Sequence, residues 1–252
     1  MSSDRTRVHQ HGRVLVVEMV RVDKRNAIDR AMADELDEAL NRLDDDPEVW
    51  AGVLAGSNGT FSAGSDLRSG GDYDTLRGGE YGVIRRRRTK PLVAAVDGPA
   101  LGGGLEIVLA CDLVVASSAS RFGLPEVTIG VIPTCAGLFR GPRTLPLNVA
   151  RELVLTGGPI TAERAHQVGL VNVLVEPGKA TEGAIHLAER VCHNAPLAVQ
   201  ASLAAVNGLA SQDEEQGWSA TETALAAVQG SADFEEGVSS FLEKREPRWQ
   251  AR

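Results

Sequence analysis

Residues 100–106 read Ala-Leu-Gly-Gly-Gly-Leu-Glu, a glycine turn that runs directly into an apolar segment. An earlier turn, residues 61–67, reads Phe-Ser-Ala-Gly-Ser-Asp-Leu. Glycine has no Cβ, so its backbone can approach a ligand closely. A helix that begins at such a turn also presents backbone N–H groups that have no partner within the helix. The two turns together predict two N–H groups that point at one ligand oxygen.

Two acidic residues follow these turns. Glu106 stands inside the apolar run 105–110, and Glu126 follows a proline in residues 122–126, Phe-Gly-Leu-Pro-Glu. The apolar neighbours of Glu106 disfavour a solvated helix face, whereas Glu126 taken alone fits an exposed turn equally well. Two carboxyl groups beside one polarised substrate can move protons between water and carbon. The residues therefore favour acid–base chemistry on a carbonyl compound.

The composition limits the class of protein. The chain has 252 residues, of which 43% are hydrophobic and 4% aromatic, and this fits one large α/β domain. A net charge of −8 argues against general binding of nucleic acid. The three cysteines lack the spacing of a metal or disulfide framework, so we expect no metal site and a cytoplasmic location. We expect neither a signal peptide nor a membrane span, because no apolar stretch reaches about 18 residues.

Charge is distributed unevenly along the chain. Residues 31–50 hold eight acidic side chains against one basic side chain, and residues 85–90 read Arg-Arg-Arg-Arg-Thr-Lys. The basic run is either a solvated helix face or a local site for a polyanionic ligand.

The hydrophobic pattern changes along the chain. Up to residue 116, strands and helices mostly alternate, which predicts parallel crossover units. The predicted strands are 14–19, 49–55, 92–96 and 113–116, and the predicted helices are 29–43, 81–88 and 103–111. Beyond residue 116 one strand is predicted, 171–175, among the helices 148–155, 161–168, 181–192, 196–209, 214–228 and 234–245.

Taken in order, these motifs resemble the enoyl-CoA hydratase/isomerase (crotonase) family. The similar segments are 26–27, 61–67, 100–106, 122–126, 130–133, 155–157, 160–162, 169–172 and 241–245. The resemblance implies an α/β fold with a crotonase-like spiral of ββα units over residues 1–192. It also implies a helical C-terminal trimerisation region over residues 193–252. The protein would then be a homo-trimer, or a hexamer made of two trimers.

The resemblance also implies a ligand and residue roles. The ligand is an acyl-CoA thioester, whose carbonyl oxygen lies between the backbone N–H groups of Ser65 and Gly103. Glu126 is the expected proton donor to the α-carbon, and Glu106 is expected to orient and activate water. Coenzyme A is part of the substrate, so no separate cofactor is expected. The implied substrate-binding residues are Lys24, Arg25, Ala27, Ala63, Asp66, Leu67, Arg68, Gly102, Pro125, Thr134 and Lys244.

One departure from the family pattern leaves the substrate open. Thr134 stands where many hydratases have a glycine, close to the reacting carbon, so the acyl group is not specified. An enoyl-CoA isomerase, a specialised 3-hydroxyacyl-CoA dehydratase and a non-catalytic CoA-ester-binding protein remain alternatives. Ser65 lacks the context of a nucleophile, and the sequence predicts that Ser65→Ala is nearly silent.

Overall fold

The computed structural model describes residues 4–71 and 73–251. In these ranges the strands are β1 (Thr6–His11), β2 (Val14–Met19), β3 (Ala51–Gly56), β4 (Asp74–Thr75), β5 (Gly79–Glu80), β6 (Leu92–Val96), β7 (Pro99–Leu101), β8 (Leu113–Ser117), β9 (Arg121–Gly123), β10 (Ile160–Thr161) and β11 (Val173–Val175). The helices are α1 (Arg30–Asp45), α2 (Gly103–Ala110), α3 (Gly137–Thr144), α4 (Leu147–Thr156), α5 (Ala162–Gln167), α6 (Ala180–Cys192), α7 (Pro196–Ala210), α8 (Glu214–Val228) and α9 (Ala232–Glu243).

The main sheet has six strands in the order β1-β2-β3-β6-β8-β11. Only β1 and β2 pair antiparallel, and every other neighbouring pair is parallel. Successive side chains of a strand point to opposite faces. Accordingly, Leu15 and Val17 pack in the core that contains α1, whereas Val14 and Val16 pack against the alanines of α6. The sheet is therefore covered on both faces, and the predicted α/β fold is confirmed.

A smaller sheet, with strand order β10-β9-β7, lies at the ends of the main strands. Strand β6 leads through β7 into α2, and β8 leads through β9 towards α3 and α4. An isolated parallel bridge between Ser62 and Ala100 places the segment after β3 beside β7 in the same way. This repetition is the predicted spiral of ββα units, and it brings both glycine turns to one place.

The structure differs from the predicted elements at three places. Residues 81–85 form turns and residues 86–88 are irregular, instead of the predicted helix, because Tyr81 (φ +58°), Gly79 and Gly82 have left-handed backbone conformations. Strand β1 was not predicted, since it is an exposed edge strand whose residues do not alternate between buried and exposed positions. Helix α3 was not predicted either, because Pro142 and its glycines weaken the helical pattern.

The basic run 85–90 pairs largely with the acidic side chains of this same chain. The Arg86 side chain is 1% exposed and forms ion pairs with Asp37 and Asp44 of α1, at 2.5 and 2.9 Å. Arg88 donates to the main-chain carbonyl oxygen at the end of α2, at 2.7 Å. For these two arginines, both a solvated helix face and a polyanion site are therefore wrong predictions.

The C-terminal part is helical, as predicted, and α7 differs from its neighbours. None of the residues of α7 is buried, although the helix is rich in alanine, leucine and valine and has no charged residue. The proposed domain boundary at 192/193 falls between α6 and α7 and stays a prediction. In the part of the chain that the structure describes, no helix has the length and apolar character needed to cross a membrane.

Candidate active site

The two glycine turns are in direct backbone contact. Gly102 has φ +56° and ψ −129°, a conformation that side chains disfavour, and it precedes the first residue of α2, Gly103. A Cβ placed on Gly64 would lie 2.8 Å from the Gly103 nitrogen. Because Gly103 begins the helix, its N–H has no acceptor within α2. Only glycine at position 64 allows the two segments to come this close.

Backbone pairing orients Ser65. The Ile28 N–H donates to the Gly64 carbonyl oxygen at 2.8 Å, and the Asp66 N–H donates to the Ile28 carbonyl oxygen at 2.9 Å. Ser65 lies between these two bonded residues in a parallel bridge with Ile28. Its own N–H therefore points away from Ile28. Ser65 thus directly follows the Gly64 contact with Gly103, and the role of their two N–H groups as a pair of donors stays a prediction.

The carboxyl group of Glu106 is buried, with 2% of the residue exposed. Its Oε1 atom accepts hydrogen bonds from the backbone N–H groups of Cys135 and Gly137, each at 2.8 Å. Gly137 is the first residue of α3, and the left-handed Ala136 (φ +78°) precedes it. Two N–H donors and the positive end of a helix stabilise a negative charge on this carboxylate.

Glu126 lies in the 3-10 turn Pro125–Ile129, and its backbone is held between two helices. A Cβ on Gly157, which ends α4, would lie 3.4 Å from the Pro125 Cα, and α9 packs on the other side of the turn. The carboxyl group reaches the glycine turn, since a Cβ on Gly102 would lie 3.1 Å from the Glu126 Oε1 atom. Both glutamates therefore flank the start of α2.

The predicted substrate-binding loop 24–27 lies beside the turn at 62–64. The Ala63 N–H donates to the Arg25 carbonyl oxygen at 3.0 Å, and the Ser62 hydroxyl donates to the Asn26 carbonyl oxygen at 2.8 Å. The Asn26 side chain, fully buried, donates to the carbonyl oxygen of Thr60 at 2.8 Å. The side chains of Lys24 and Arg25 remain exposed beside these contacts.

Asp66 has a structural partner within the chain. Arg21, 8% exposed, forms ion pairs with Asp66 at 2.8 Å and with Asp29 at 3.3 Å. Burial by itself raises the pKa of Asp66, but hydrogen bonds from Arg21, Ser69 and the Arg68 backbone hold that pKa below its ordinary value. Its carboxylate is therefore paired within the chain, and its predicted contact with the substrate stays a prediction.

The other predicted binding residues lie around this centre or apart from it. Arg68 is exposed, while Ala27, Leu67, Pro125 and Thr134 are half-buried. Thr134 directly precedes Cys135, a donor to Glu106. Lys244 is the left-handed residue that ends α9, and the described hydrogen bonds tie its backbone to that helix. In the described ranges, no group of three or more His, Cys, Asp or Glu side chains has the arrangement of a metal site.

Sequence reasoning missed one side chain at this centre. The Tyr81 hydroxyl lies 2.6 Å from the Ser65 Oγ atom, and a Cβ placed on Gly103 would lie 2.5 Å from that same hydroxyl. Residues 78–82, Gly-Gly-Glu-Tyr-Gly, carried a partial signal, because glycines this close together predict a turn instead of a helix around Tyr81.

Known proteins resemble this chain over nearly its whole length. A model of the enoyl-CoA hydratase/isomerase family matches residues 9–252. The chain is 36% identical to the enoyl-CoA hydratase EchA19 of Mycobacterium tuberculosis, covering 97% of this chain and 96% of that protein. It is 34% identical to the 2,3-dehydroadipyl-CoA hydratase of Escherichia coli, covering 97% and 98%. Among solved structures, a carnitinyl-CoA hydratase from Mycobacterium avium superposes with a TM-score of 0.93 at 40% identity, over 100% of both chains.

Proposed function

This chain belongs to the enoyl-CoA hydratase/isomerase family, and on that basis we propose that it is a hydro-lyase that adds water reversibly across the 2,3 double bond of a 2-enoyl-CoA thioester. The observation that carries the proposal is that Gly64 meets the first residue of α2 and that the Glu126 carboxyl group reaches the same turn, while Glu106 stands on α2 itself. Relatives named as enoyl-CoA hydratases and as a carnitinyl-CoA dehydratase support the reaction class.

Attack of water on the β-carbon pushes negative charge onto the thioester oxygen. We propose that the N–H groups of Ser65 and Gly103 hold this oxygen and stabilise the developing enolate. Donors fixed in place before the reaction cost no reorganisation, and losing one such donor typically costs about 3–4 kcal/mol of transition-state stabilisation. The close approach of Gly64 to Gly103 supports this role.

The two glutamates have different surroundings, which supports a division of roles. Glu106 is buried and accepts two backbone hydrogen bonds on one oxygen, so it suits a carboxylate that orients water and takes a proton from it. Glu126 approaches the turn at Gly102 and suits the delivery of a proton to the α-carbon. An isomerase typically needs only one base, so the presence of both glutamates favours hydration.

We propose that the CoA moiety is part of the substrate and that no other cofactor takes part. Its phosphates are anionic, and the exposed side chains of Lys24, Arg25 and Arg68 lie on the two loops that frame the site. Lys244 lies on α9 and is the proposed contact to a CoA bound by a neighbouring subunit. The acyl group is left open, and Thr134 is the residue expected to limit its size.

We propose a homo-trimer, which can stack into a hexamer. The helix α7 supports this assembly, because an uncharged and mostly apolar helix without a buried residue requires a partner. Leu197 and Leu209 are 78% and 70% exposed in the isolated chain.

A panel of straight, branched and ring-bearing 2-enoyl-CoAs tests the proposed function. Hydration is followed as the loss of absorbance of the conjugated enoyl thioester. We expect turnover of at least one member, and Glu126→Gln and Glu106→Gln should each lower kcat by about 10²–10⁴-fold while the fold is kept. Glu182→Gln is the matched control, since this glutamate is exposed on α6 and should leave kcat unchanged. Near-normal turnover in either active-site variant would refute the assigned roles.

No turnover across the panel, with CoA-ester binding retained, would instead favour the isomerase, the specialised 3-hydroxyacyl-CoA dehydratase or the non-catalytic binding protein.

A further inference from the structure

A phenol group contacts both turns of the proposed oxyanion site. The Tyr81 side chain is almost fully buried, and its hydroxyl is 2.6 Å from the Ser65 Oγ atom. A Cβ on Gly103 would lie 2.5 Å from the Tyr81 hydroxyl and 2.8 Å from its Cζ atom. The end of the ring therefore lies directly over the Gly103 Cα. Position 103 has no room for a side chain because the tyrosine fills that space.

The loop that carries Tyr81 holds it in an unusual conformation. Tyr81 has φ +58°, which is uncommon for a bulky residue and indicates that the surroundings impose it. Its N–H donates to the Tyr73 carbonyl oxygen at 2.9 Å, and the N–H groups of Val83 and Ile84 both donate to the Glu80 carbonyl oxygen at 3.1 Å. Backbone strain of this kind persists where the position of a side chain matters.

We propose that Tyr81 is a further catalytic residue, whose O–H donates a hydrogen bond to the same thioester oxygen that the N–H groups of Ser65 and Gly103 hold. The inference rests on the proposed function, because it needs an enoyl-CoA bound at this turn. In this arrangement the Ser65 hydroxyl donates to the Tyr81 oxygen, and the Tyr81 hydroxyl donates to the substrate. Both O–H bonds stay intact, and no proton is transferred.

The chain of donors gives Ser65 two roles. Its backbone N–H contacts the substrate oxygen, and its hydroxyl polarises the phenol, since hydrogen bonds in series strengthen one another. The Tyr81 hydrogen bond grows stronger as charge develops on the oxygen, so its loss acts on the transition state more than on the bound substrate. This differs from the sequence expectation that the Ser65 hydroxyl is dispensable.

Steady-state kinetics of Tyr81→Phe test the proposal, because phenylalanine keeps the ring and removes only the hydroxyl. We expect kcat to fall about 10²-fold with little change in KM, as for the loss of one oxyanion donor. Tyr73→Phe is the matched control, since Tyr73 is the only other tyrosine of the chain and its hydroxyl donates to the Ser69 carbonyl oxygen. That variant should leave kcat and KM unchanged.

A double-mutant cycle separates catalysis from support of the loop. Ser65→Ala keeps the backbone N–H and should lower kcat about tenfold, the value of one hydrogen bond. If Ser65 acts through the phenol, the double variant Ser65→Ala/Tyr81→Phe should be no slower than Tyr81→Phe alone. Additive losses in the double variant would overturn the proposed chain of donors.

A spectroscopic measurement checks the contact without turnover. In the Glu126→Gln background, the carbonyl stretch of a bound ¹³C-labelled enoyl-CoA should lie below its value in water, and Tyr81→Phe should reverse part of that shift. An unchanged stretch and unchanged kcat in Tyr81→Phe would overturn the role of Tyr81 while the proposed function stands. Failure of the enoyl-CoA to bind the wild-type protein would overturn both.

Discussion

At the scale of the residue, the carboxylate of Glu106 shows how backbone groups set the chemistry of a side chain. The glutamate belongs to α2, but both N–H groups that hold its Oε1 atom belong to residues 135–137. The negative charge is thus stabilised by a segment that is distant in sequence. The position of the Glu106 carboxylate depends on the absence of a side chain at Gly137, since a Cβ there would lie 2.9 Å from the Glu106 Oε1 atom.

Gly137→Ala should therefore lower kcat by at least tenfold, a loss of about 1.4 kcal/mol of transition-state stabilisation. Gly137 has no left-handed φ, so alanine suits the helical backbone and helix propensity should improve. Steady-state kinetics and thermal unfolding measure the two effects separately.

Gly141→Ala on the same helix is the control, because a Cβ at this position meets no atom within 4 Å. It should leave kcat unchanged. Equal kcat of the Gly137→Ala and Gly141→Ala variants would contradict the proposal that a side chain at position 137 disturbs the Glu106 carboxylate.

At the scale of the element, α8 packs on α3 through an aromatic contact and through an ion pair of Arg140 with Glu214 at 3.0 Å. Trp218 of α8 makes an edge contact with Phe139 of α3, with ring centroids 5.0 Å apart. The Arg85 guanidinium lies 3.6 Å from the centroid of the Trp218 ring. Arg85 follows the turn that carries Tyr81, so α8 supports that turn as well as α3.

Trp218→Ala should lower the free energy of unfolding by about 2–4 kcal/mol, because it removes an aromatic pair and a cation–π contact from a half-buried site. Hydrogen exchange should increase first in α8 and in the turn at residues 78–85. Mass spectrometry of peptides after exchange locates the change.

Trp50→Ala provides the comparison, since Trp50 is also half-buried and stacks with Arg13 at 4.8 Å, but at the start of β3. It should leave the exchange of α8 unchanged. Faster hydrogen exchange of α8 in both variants would indicate that each substitution destabilises the whole fold. It would contradict the proposal that Trp218 attaches α8 locally.

At the scale of the whole molecule, the isolated chain leaves apolar surface uncovered on its C-terminal helices. Val206 of α7 is 64% exposed, and Phe241 of α9 is 53% exposed. An uncharged helix such as α7, mostly apolar and without a buried residue, is typical of a protein–protein interface. The core sheet needs none of these residues, because its own faces are covered by α1 and α6.

Analytical ultracentrifugation should therefore give about three or six times the chain mass of 26.7 kDa. Leu197→Asp/Leu209→Asp should shift the protein to the monomer, because buried unpaired carboxylates disfavour an interface. Glu182→Gln on α6 should leave the assembly unchanged. A wild-type monomer at micromolar concentration would refute the proposed trimer.

Much of the fold followed from local patterns in the sequence. Buried apolar runs predicted the parallel strands, and regular apolar spacing predicted α1, α2 and the C-terminal helices. The left-handed turn at Tyr81 was predicted as a helix, because its side-chain spacing is helical while its glycines impose another backbone conformation. Strand β1 and the short strands β7 and β9 depend on pairing partners that are distant in sequence.

The sequence by itself determined the α/β class, the two glycine turns and the presence of Glu106 and Glu126, because these are properties of short segments. Only the tertiary structure decided that Gly64 contacts Gly103, that residues 135–137 hold Glu106, and that the Tyr81 hydroxyl lies beside Ser65 and Gly103. It also decided that Arg86 binds the acids of α1 instead of a ligand. These contacts join residues far apart in the chain, and their geometry depends on how the ββα turns stack around one core.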